Sequence, residues 1–106
     1  MEGFKVVFTK TAEKDLNTLG VKTRYKILQA TKVLEVSPFP RANVIKKLKG
    51  AKISLYRLRV GDFRVIYHID GRKIAILFAV SRKNLEKKLK ALLARNKREH
   101  LRLGDV

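Results

Sequence analysis

The sequence predicts an α+β fold, in which an N-terminal strand and a helical hairpin precede a three-stranded antiparallel meander and a basic C-terminal helix. Three patterns indicate this fold. Apolar and polar residues alternate through residues 53–80, as they do in half-buried strands. Apolar residues recur at helical spacing between residues 10 and 36. From residue 83 onward, leucines form a stripe surrounded by Lys and Arg, which predicts an amphipathic helix.

The N-terminal part contains the predicted first strand and the helical hairpin. Phe4–Phe8 (FKVVF) is a short apolar run and predicts the strand. Thr9 or Thr11 can cap the first helix, because a threonine hydroxyl accepts a hydrogen bond from an amide of the first turn. A second helix is expected from about residue 21 to residue 36. Residues 44–50 are expected to form a loop or a single turn.

The meander is expected over residues 53–60, 63–69 and 74–80, joined at Gly61-Asp62 and Asp70-Gly71. Asp-Gly between alternating apolar runs is a strong hairpin signal, and glycine accepts the positive φ that two-residue turns need. The third strand is apolar on both sides, which is typical of a central strand. With the N-terminal strand beside it, the sequence predicts a four-stranded, mostly antiparallel sheet with the helical hairpin on one face.

The region 83–106 is predicted to be a basic C-terminal helix or tail. Its leucine stripe consists of Leu85, Leu89, Leu92 and Leu93. Such a helix covers part of the core, binds a partner or lies along nucleic acid, and the first of these is the commonest.

Composition limits the class of protein. The 106 residues are 45% hydrophobic, which suits one domain over residues 1–106 with a modest core. Lys and Arg number 26 against 9 Asp and Glu, a formal net charge of +17. So large an excess favours a polyanionic partner, with nucleic acid the first candidate and a membrane surface the second.

Several classes are not expected from the composition. No apolar run reaches the roughly 18–20 residues of a bilayer span, and the N-terminal segment lacks the apolar core of a signal peptide. The default expectation is therefore a cytoplasmic protein. The chain has no cysteine, and its two histidines are far apart, so neither a metal nor a cofactor is expected.

Three arginines share the polar face of the hairpin predicted over residues 56–69. A two-residue turn at Gly61-Asp62 sets Arg59 directly opposite Arg64, with Arg57 on the same face. Opposed like charges cost about 0.2–1 kcal/mol, so a purely structural sheet would more readily have a Glu or a Thr there. A solvated face in a basic chain is one interpretation. We favour a phosphate site, because the cluster is geometric and not only compositional.

The order of elements and two motifs resemble the RelE/ParE superfamily of toxin–antitoxin toxins. The motifs are IKKLKG followed by LYRLRVGDFRVIYHI, and Val80-Ser81-Arg82-Lys83 after the third strand. The resemblance covers about residues 4–88 and implies a RelE-like fold. The RelE branch implies a ribonuclease that enters the ribosomal A site and cuts mRNA without a metal, by attack of the 2′-hydroxyl on the adjacent phosphorus. The ParE branch acts on DNA gyrase and does not use this basic site.

The resemblance also assigns roles to basic residues. Arg64 and Arg82 are expected to stabilise the transition state, and Arg57 and Arg59 to grip phosphate. Guanidinium groups suit both roles, because they stay charged and bond two oxygens at once. The residues expected to contact RNA are Lys46, Lys47, Lys49, Lys52, Lys83 and Lys87. For the four lysines between residues 46 and 52, a solvated loop is the alternative.

The chain departs from RelE at two places. RelE has lysines where this chain has Arg57 and Arg59. RelE also has a C-terminal tyrosine that helps with base stacking or proton transfer, whereas no tyrosine follows Tyr67 here. Arginine is a poor general base. The expected base is therefore Lys87 or Lys88, with Lys88 our candidate, if neighbouring cations depress its pKa.

The expected role of Arg82 depends on the strand that precedes it. Strict alternation groups Arg82 with Ile76, Phe78 and Val80 on the core side. Arg82 can reach the other arginines only if the strand ends or bulges near Ser81.

Three functions remain open at this point: a RelE-type endoribonuclease that inhibits translation, a ParE-like toxin that poisons gyrase without cutting RNA, and a non-catalytic RNA- or ribosome-binding module. The resemblance further implies a cognate RelB-like antitoxin with an acidic or helical segment, in a hetero-oligomer with the toxin. Ribosome and mRNA are the other implied partners, with no membrane. The leucine stripe of the C-terminal helix is a candidate docking place for the antitoxin.

Overall fold

The computed structural model describes residues 3–49 and 53–99, with side chains as far as residue 94. Its elements in chain order are β1 (Lys5–Phe8), α1 (Lys10–Asn17), α2 (Val21–Val33), β2 (Ile45–Lys47), β3 (Leu55–Val60), β4 (Phe63–Asp70), β5 (Lys73–Ser81), a 3₁₀ turn (Arg82–Asn84) and α3 (Leu85–Glu99). The predicted α+β class is confirmed, and so are its N-terminal strand, helical hairpin, meander and C-terminal helix. Lys52 and the predicted tail beyond residue 99 lie outside the described residues.

The five strands form one sheet, which has one strand more than predicted. Their order is β1-β5-β4-β3-β2, with β1 parallel to β5 and the other neighbours antiparallel. The added strand is β2, in the segment predicted to be a loop or a turn. It forms because Ile45 is fully buried where it pairs with Leu58. A strand of 3 residues is too short to show alternation, and its pairing with β3 is non-local, so the sequence pattern does not reveal it.

Helices cover both faces of the sheet. The side covered by α1 and α2 is called the α1–α2 face. Its buried core is formed by Ala12, Leu16, Ile27, Leu34, Ile45, Leu58, Val65, Tyr67, Ile74, Ile76 and Ala79. The opposite side carries Arg57, Arg59 and Arg64 and is called the arginine face. On part of it, the leucine stripe of α3 packs against Leu55, Ile66, Leu77 and Phe78.

This arrangement shows what the apolar side of α3 does. The prediction that the C-terminal helix covers part of the core is confirmed. The helical hairpin lies on one face, as predicted, and the second side of β5 also needs a cover because this strand is apolar on both sides. α3 supplies that cover and leaves the arginine end of the same face open.

The helical hairpin follows the predicted pattern with two refinements. Thr9, and not Thr11, caps α1, since its hydroxyl accepts a hydrogen bond from the amide of Ala12 at 3.1 Å. α2 ends at Val33 rather than near residue 36. Among the helices of the described residues, none has both the length and the apolar composition that crossing a membrane requires.

β5 contains one irregularity that matters for function. Its pairing with β4 skips Leu77, because Ile76 and Phe78 oppose consecutive residues of β4. Leu77 is therefore a β-bulge, and an extra residue inverts the alternation beyond it. Ile76 packs on the α1–α2 face, whereas Phe78 and Val80 pack on the arginine face. The expectation that Phe78 and Val80 share the core side with Ile76 is wrong for this reason.

Candidate active site: the arginine cleft

The β3–β4 hairpin has the predicted register. Val60 pairs with Phe63 and Arg59 pairs with Arg64, across the tight turn at Gly61-Asp62. Gly61 has a φ of +57°, which a residue with a Cβ adopts only at a cost. The turn therefore fixes two like charges directly opposite each other.

The four arginines predicted for the site line one cleft of about 570 Å³. Its lining residues are Arg57, Arg59, Gly61, Asp62, Arg64, Arg82 and Leu85. Arg82 joins the arginines of the β3–β4 hairpin because the bulge at Leu77 reverses the alternation of side chains along the rest of β5. The structure thus fulfils the condition that the prediction set for Arg82, with the bulge at Leu77 rather than near Ser81.

Arg64 is held in place by the hairpin turn. Its side chain is 8% exposed, and its Nη1 donates hydrogen bonds to the carbonyls of Gly61 and Phe63, both at 2.9 Å. These bonds use one nitrogen of the guanidinium. Its Nε and Nη2 have no hydrogen-bond partner among the described residues. A guanidinium fixed in this way is preorganised for an anion, because binding costs little further ordering.

Arg57 is electrostatically strained in the folded chain. Its Nη2 donates to the carbonyl of Asn43 at 2.6 Å, but its Nε is buried and lacks a partner within the part of the chain that the structure describes. Burial, and then the charges of Arg64 and Arg59, lower the pKa of Arg57. Arginine stays protonated at working pH, so the lowered pKa reports a cost of keeping this charge in the cleft. A bound phosphate would reduce that cost.

Within the part of the chain that the structure describes, the cleft arginines have no salt-bridge partner. Arg59 and Arg82 are exposed. Asp62 lines the cleft without pairing with them. Sequence reasoning missed Asp62 and Leu85 as lining residues. Their positions, at the turn between two arginine-bearing strands and directly after Arg82-Lys83-Asn84, are the signals that could have found them.

The predicted RNA-contacting lysines lie around the cleft, and none that the structure describes belongs to its lining. Lys46 pairs with Arg57 across β2 and β3 and so extends the arginine face toward the sheet edge, whereas Lys47 pairs with Tyr56. Lys49, Lys83 and Lys87 are exposed.

Lys88, the candidate base, lies on α3 and outside the cleft lining. Its Nζ is 5.7 Å from the centre of the Phe78 ring, at the distance of a cation–π contact. The structure does not bring Lys88 next to the arginines in the way that the sequence interpretation required.

Other polar side chains near the sheet are already satisfied. The Nδ1 of half-buried His68 bonds the Ser54 carbonyl at 2.8 Å, so that nitrogen carries the proton. Buried Tyr67 donates to the carbonyl of Pro38 at 2.7 Å and stacks on Tyr56. Among the described residues, no group of three or more His, Asp or Glu side chains could hold a metal ion.

The chain is similar to known toxins in sequence. Residues 6–85 match a family profile described as the ParE toxin of the type II toxin–antitoxin system parDE. A curated protein of Methanocaldococcus jannaschii named "Putative toxin RelE1" is 36% identical over 83 residues, which are 76% of this chain and 90% of that protein.

Solved structures show the same similarity. A chain of the archaeal RelE–RelB complex from Pyrococcus horikoshii OT3 is 34% identical, with a TM-score of 0.65 over 74% of this chain and 94% of that one. A chain of the toxin–antitoxin complex RelBE2 from Mycobacterium tuberculosis is 28% identical, with a TM-score of 0.65 over 76% of this chain and 99% of that one. The profile spans most of the chain, and both relatives described above with more than 30% identity carry the name RelE. The chain therefore belongs to the RelE/ParE superfamily of type II toxin–antitoxin toxins, in its RelE-like branch.

Proposed function

We propose that the protein is a ribosome-dependent endoribonuclease that cuts mRNA in the A site, without a metal ion, and so inhibits translation. The observation that carries the proposal is the arginine cleft, where four guanidinium groups gather and none forms a salt bridge with a carboxylate of the described residues. A cleft of this kind suits a phosphodiester, which supplies the missing negative charge.

The proposed reaction is an in-line displacement at phosphorus. The 2′-oxygen forms a bond to phosphorus, the bond to the 5′-oxygen breaks, and the products are a 2′,3′-cyclic phosphate and a 5′-hydroxyl. Negative charge accumulates on the non-bridging oxygens, where preorganised cations lower the barrier. Arg64 and Arg82 would stabilise that charge, and Arg57 and Arg59 would hold the phosphate.

The reaction also moves two protons. One leaves the 2′-hydroxyl and one reaches the departing 5′-oxygen. Lys88 is the proposed base, and it would have to leave the ring of Phe78 and lose its proton before it could act. The lysines around the cleft (Lys46, Lys47, Lys49, Lys52, Lys83 and Lys87) would contact RNA phosphates, and this binding should weaken strongly with salt.

We further propose a RelB-like antitoxin as the cognate partner, and the cytoplasm, where ribosomes are, as the location. The net charge of +17 favours an acidic segment on that partner. The names of the similar solved structures support this pairing, since both are complexes of a RelE toxin with its antitoxin.

Primer extension on an mRNA under translation in vitro tests the proposal. Arg82→Ala is the sharpest variant, because Arg82 is exposed whereas Arg64 also ties the hairpin turn. Losing one donor that stabilises the transition state should lower kcat about 10²–10³-fold. Lys26→Ala is the matched control, since it removes one positive charge from the exposed side of α2. Cuts that need no ribosome, or that persist unchanged in Arg82→Ala, would contradict the proposal.

A second candidate is a ParE-like toxin that binds gyrase without cutting RNA. The family profile is described as a ParE toxin, and the chain lacks a tyrosine after Tyr67. Inhibition of gyrase supercoiling, with translated mRNA left intact, would select this candidate. Salt-sensitive RNA binding with neither effect would indicate a non-catalytic RNA-binding module.

A further inference from the structure

The β-bulge at Leu77 leaves backbone groups of β5 without partners in β4. In a regular strand, successive carbonyls point to opposite neighbours. Here the carbonyls of Ile76 and Leu77 both bond Thr9, the first through its amide at 3.0 Å and the second through its hydroxyl at 2.9 Å. Because buried backbone groups without partners cost free energy, a bulge at this depth needs such a partner outside β4.

Helix α1 provides a second partner. The pairing of β1 with β5 ends at Phe8 and Ile76, and none of the described strands pairs with the rest of β5 on that side. There the amide of Ala79 donates a hydrogen bond to Oδ2 of Asp15 at 3.0 Å. Thr9 caps α1 and Asp15 lies within it, so this helix holds the strand at two points that flank Phe78.

The bulge decides on which face Arg82 lies. With unbroken alternation from Ile76, Arg82 would lie on the α1–α2 face, beneath those two helices. The extra residue at Leu77 exchanges the faces on which the later side chains of β5 lie, and Arg82 lines the arginine cleft instead. Its amide also donates to the carbonyl of Asp62 at 2.8 Å, which ties its backbone to the hairpin turn.

We propose that Asp15 and Thr9 are positioning residues for Arg82, because their hydrogen bonds to Ala79 and Leu77 stabilise the bulge that directs Arg82 into the cleft. The catalytic consequence rests on the proposed ribonuclease function, whereas the placement of Arg82 does not. Asp15 is the cleaner residue to test, since the hydroxyl of Thr9 also caps α1.

The first test is kinetic. Asp15→Ala removes the acceptor, Asp15→Asn keeps one, and Glu13→Ala removes an exposed carboxylate from the same helix as the matched control. Asp15→Ala should lower kcat for mRNA cleavage about 10- to 100-fold through misplacement of Arg82, with little change in KM. Asp15→Asn and Glu13→Ala should keep the wild-type rate.

A double-mutant cycle separates positioning from a general structural role. In an Arg82→Ala background, Asp15→Ala should change the rate by less than about twofold, because its effect passes through Arg82. In an Arg59→Ala background, Asp15→Ala should keep its full effect. An equal loss in both backgrounds would overturn the inference and make Asp15 a structural residue.

The second test needs no cleavage. Nε–Hε signals of the arginines are followed by NMR while inorganic pyrophosphate is added. In the wild type, Arg59 and Arg82 should respond together. In Asp15→Ala only Arg59 should respond, and Asp15→Asn should restore Arg82. A normal Arg82 response in Asp15→Ala would overturn the inference. If the protein shows these NMR responses but cuts no RNA, the positioning role of Asp15 is supported and only the proposed ribonuclease function is refuted.

Discussion

Replacing Arg59 with Gln should make the protein more stable and less able to bind anions. Arg59 is exposed and lies directly opposite Arg64, a nearly buried residue whose guanidinium is tied to the turn. Arg59 also contributes, after burial and Arg64, to the lowered pKa of Arg57. Removing the charge at position 59 therefore relieves two repulsions, while Gln keeps a side chain of similar length.

The magnitude follows from the pairing. A directly opposed like-charge pair costs about 0.2–1 kcal/mol, and the repulsion of Arg57 adds to it, so we expect a gain of about 0.5–1 kcal/mol. For a domain of about 100 residues, such a gain raises Tm by roughly 2–8 °C. An arginine with a lowered pKa is still charged at every pH below that pKa. The gain should therefore be constant from about pH 6 to pH 9.

Thermal unfolding followed by circular dichroism measures this gain, in a phosphate-free buffer of low ionic strength. Arg59→Lys keeps the charge and is the matched control, which should melt close to the wild type. In about 1 M salt, where the Debye length is about 3 Å, the gain of Arg59→Gln should largely disappear. Pyrophosphate at a hundredfold excess over its Kd should stabilise the wild type by about 2.7 kcal/mol and the variant by less. A variant that melts at or below the wild type at low salt would refute the reasoning.

Three further outcomes test the fold. Burial, and then Tyr56, raise the pKa of Tyr67. The stability that the neutral Tyr67 contributes is therefore fully present below about pH 10, the pKa of an unfolded tyrosine, and is lost as the pH rises further. Alkaline unfolding should then be accompanied by a step in tyrosinate absorbance that Tyr67→Phe lacks, and a Tyr67 that ionises while the protein remains folded would contradict this. Gly61→Ala should cost about 1–2 kcal/mol in urea denaturation, because φ at Gly61 is +57°, and an unchanged stability would mean that the turn relaxes. Leu89→Ala should cost about 1–2 kcal/mol, less than a fully buried leucine, with Lys87→Ala as the neutral control.

Much of the fold could be predicted because its signals are local. Alternation and the two turn glycines give β3, β4 and β5 and their register, including the pair of Arg59 with Arg64. β2 could not be predicted, since a strand of 3 residues has no period and exists only through its pairing with β3. The face on which α3 packs depends on β5 being apolar on both sides, which the sequence shows without saying which helix covers it.

The arginine cleft could be predicted in part for the same reason. Arg57, Arg59 and Arg64 belong to one hairpin, and strand parity brings them together. Arg82 could be placed only conditionally, because the bulge at Leu77 has no glycine or proline to mark it. Its stabilising contacts come from Asp15 and Thr9, which are more than 60 residues away, as the separations of 64 and 68 residues show. Arguments from strand alternation fail wherever a bulge that long-range contacts stabilise shifts the alternation of one strand.

Two departures from local rules meet at this cleft. Opposed arginines destabilise the hairpin, and the bulge interrupts the ladder beside it. The first departure could be removed by a neutral residue at position 59, and the second by a strand with regular alternation. A solvated surface would require neither. Their effects converge, because one gathers three guanidinium groups and the other adds that of Arg82. Departures that are independent in origin and directed to one cleft favour an anion site over a surface that is only basic.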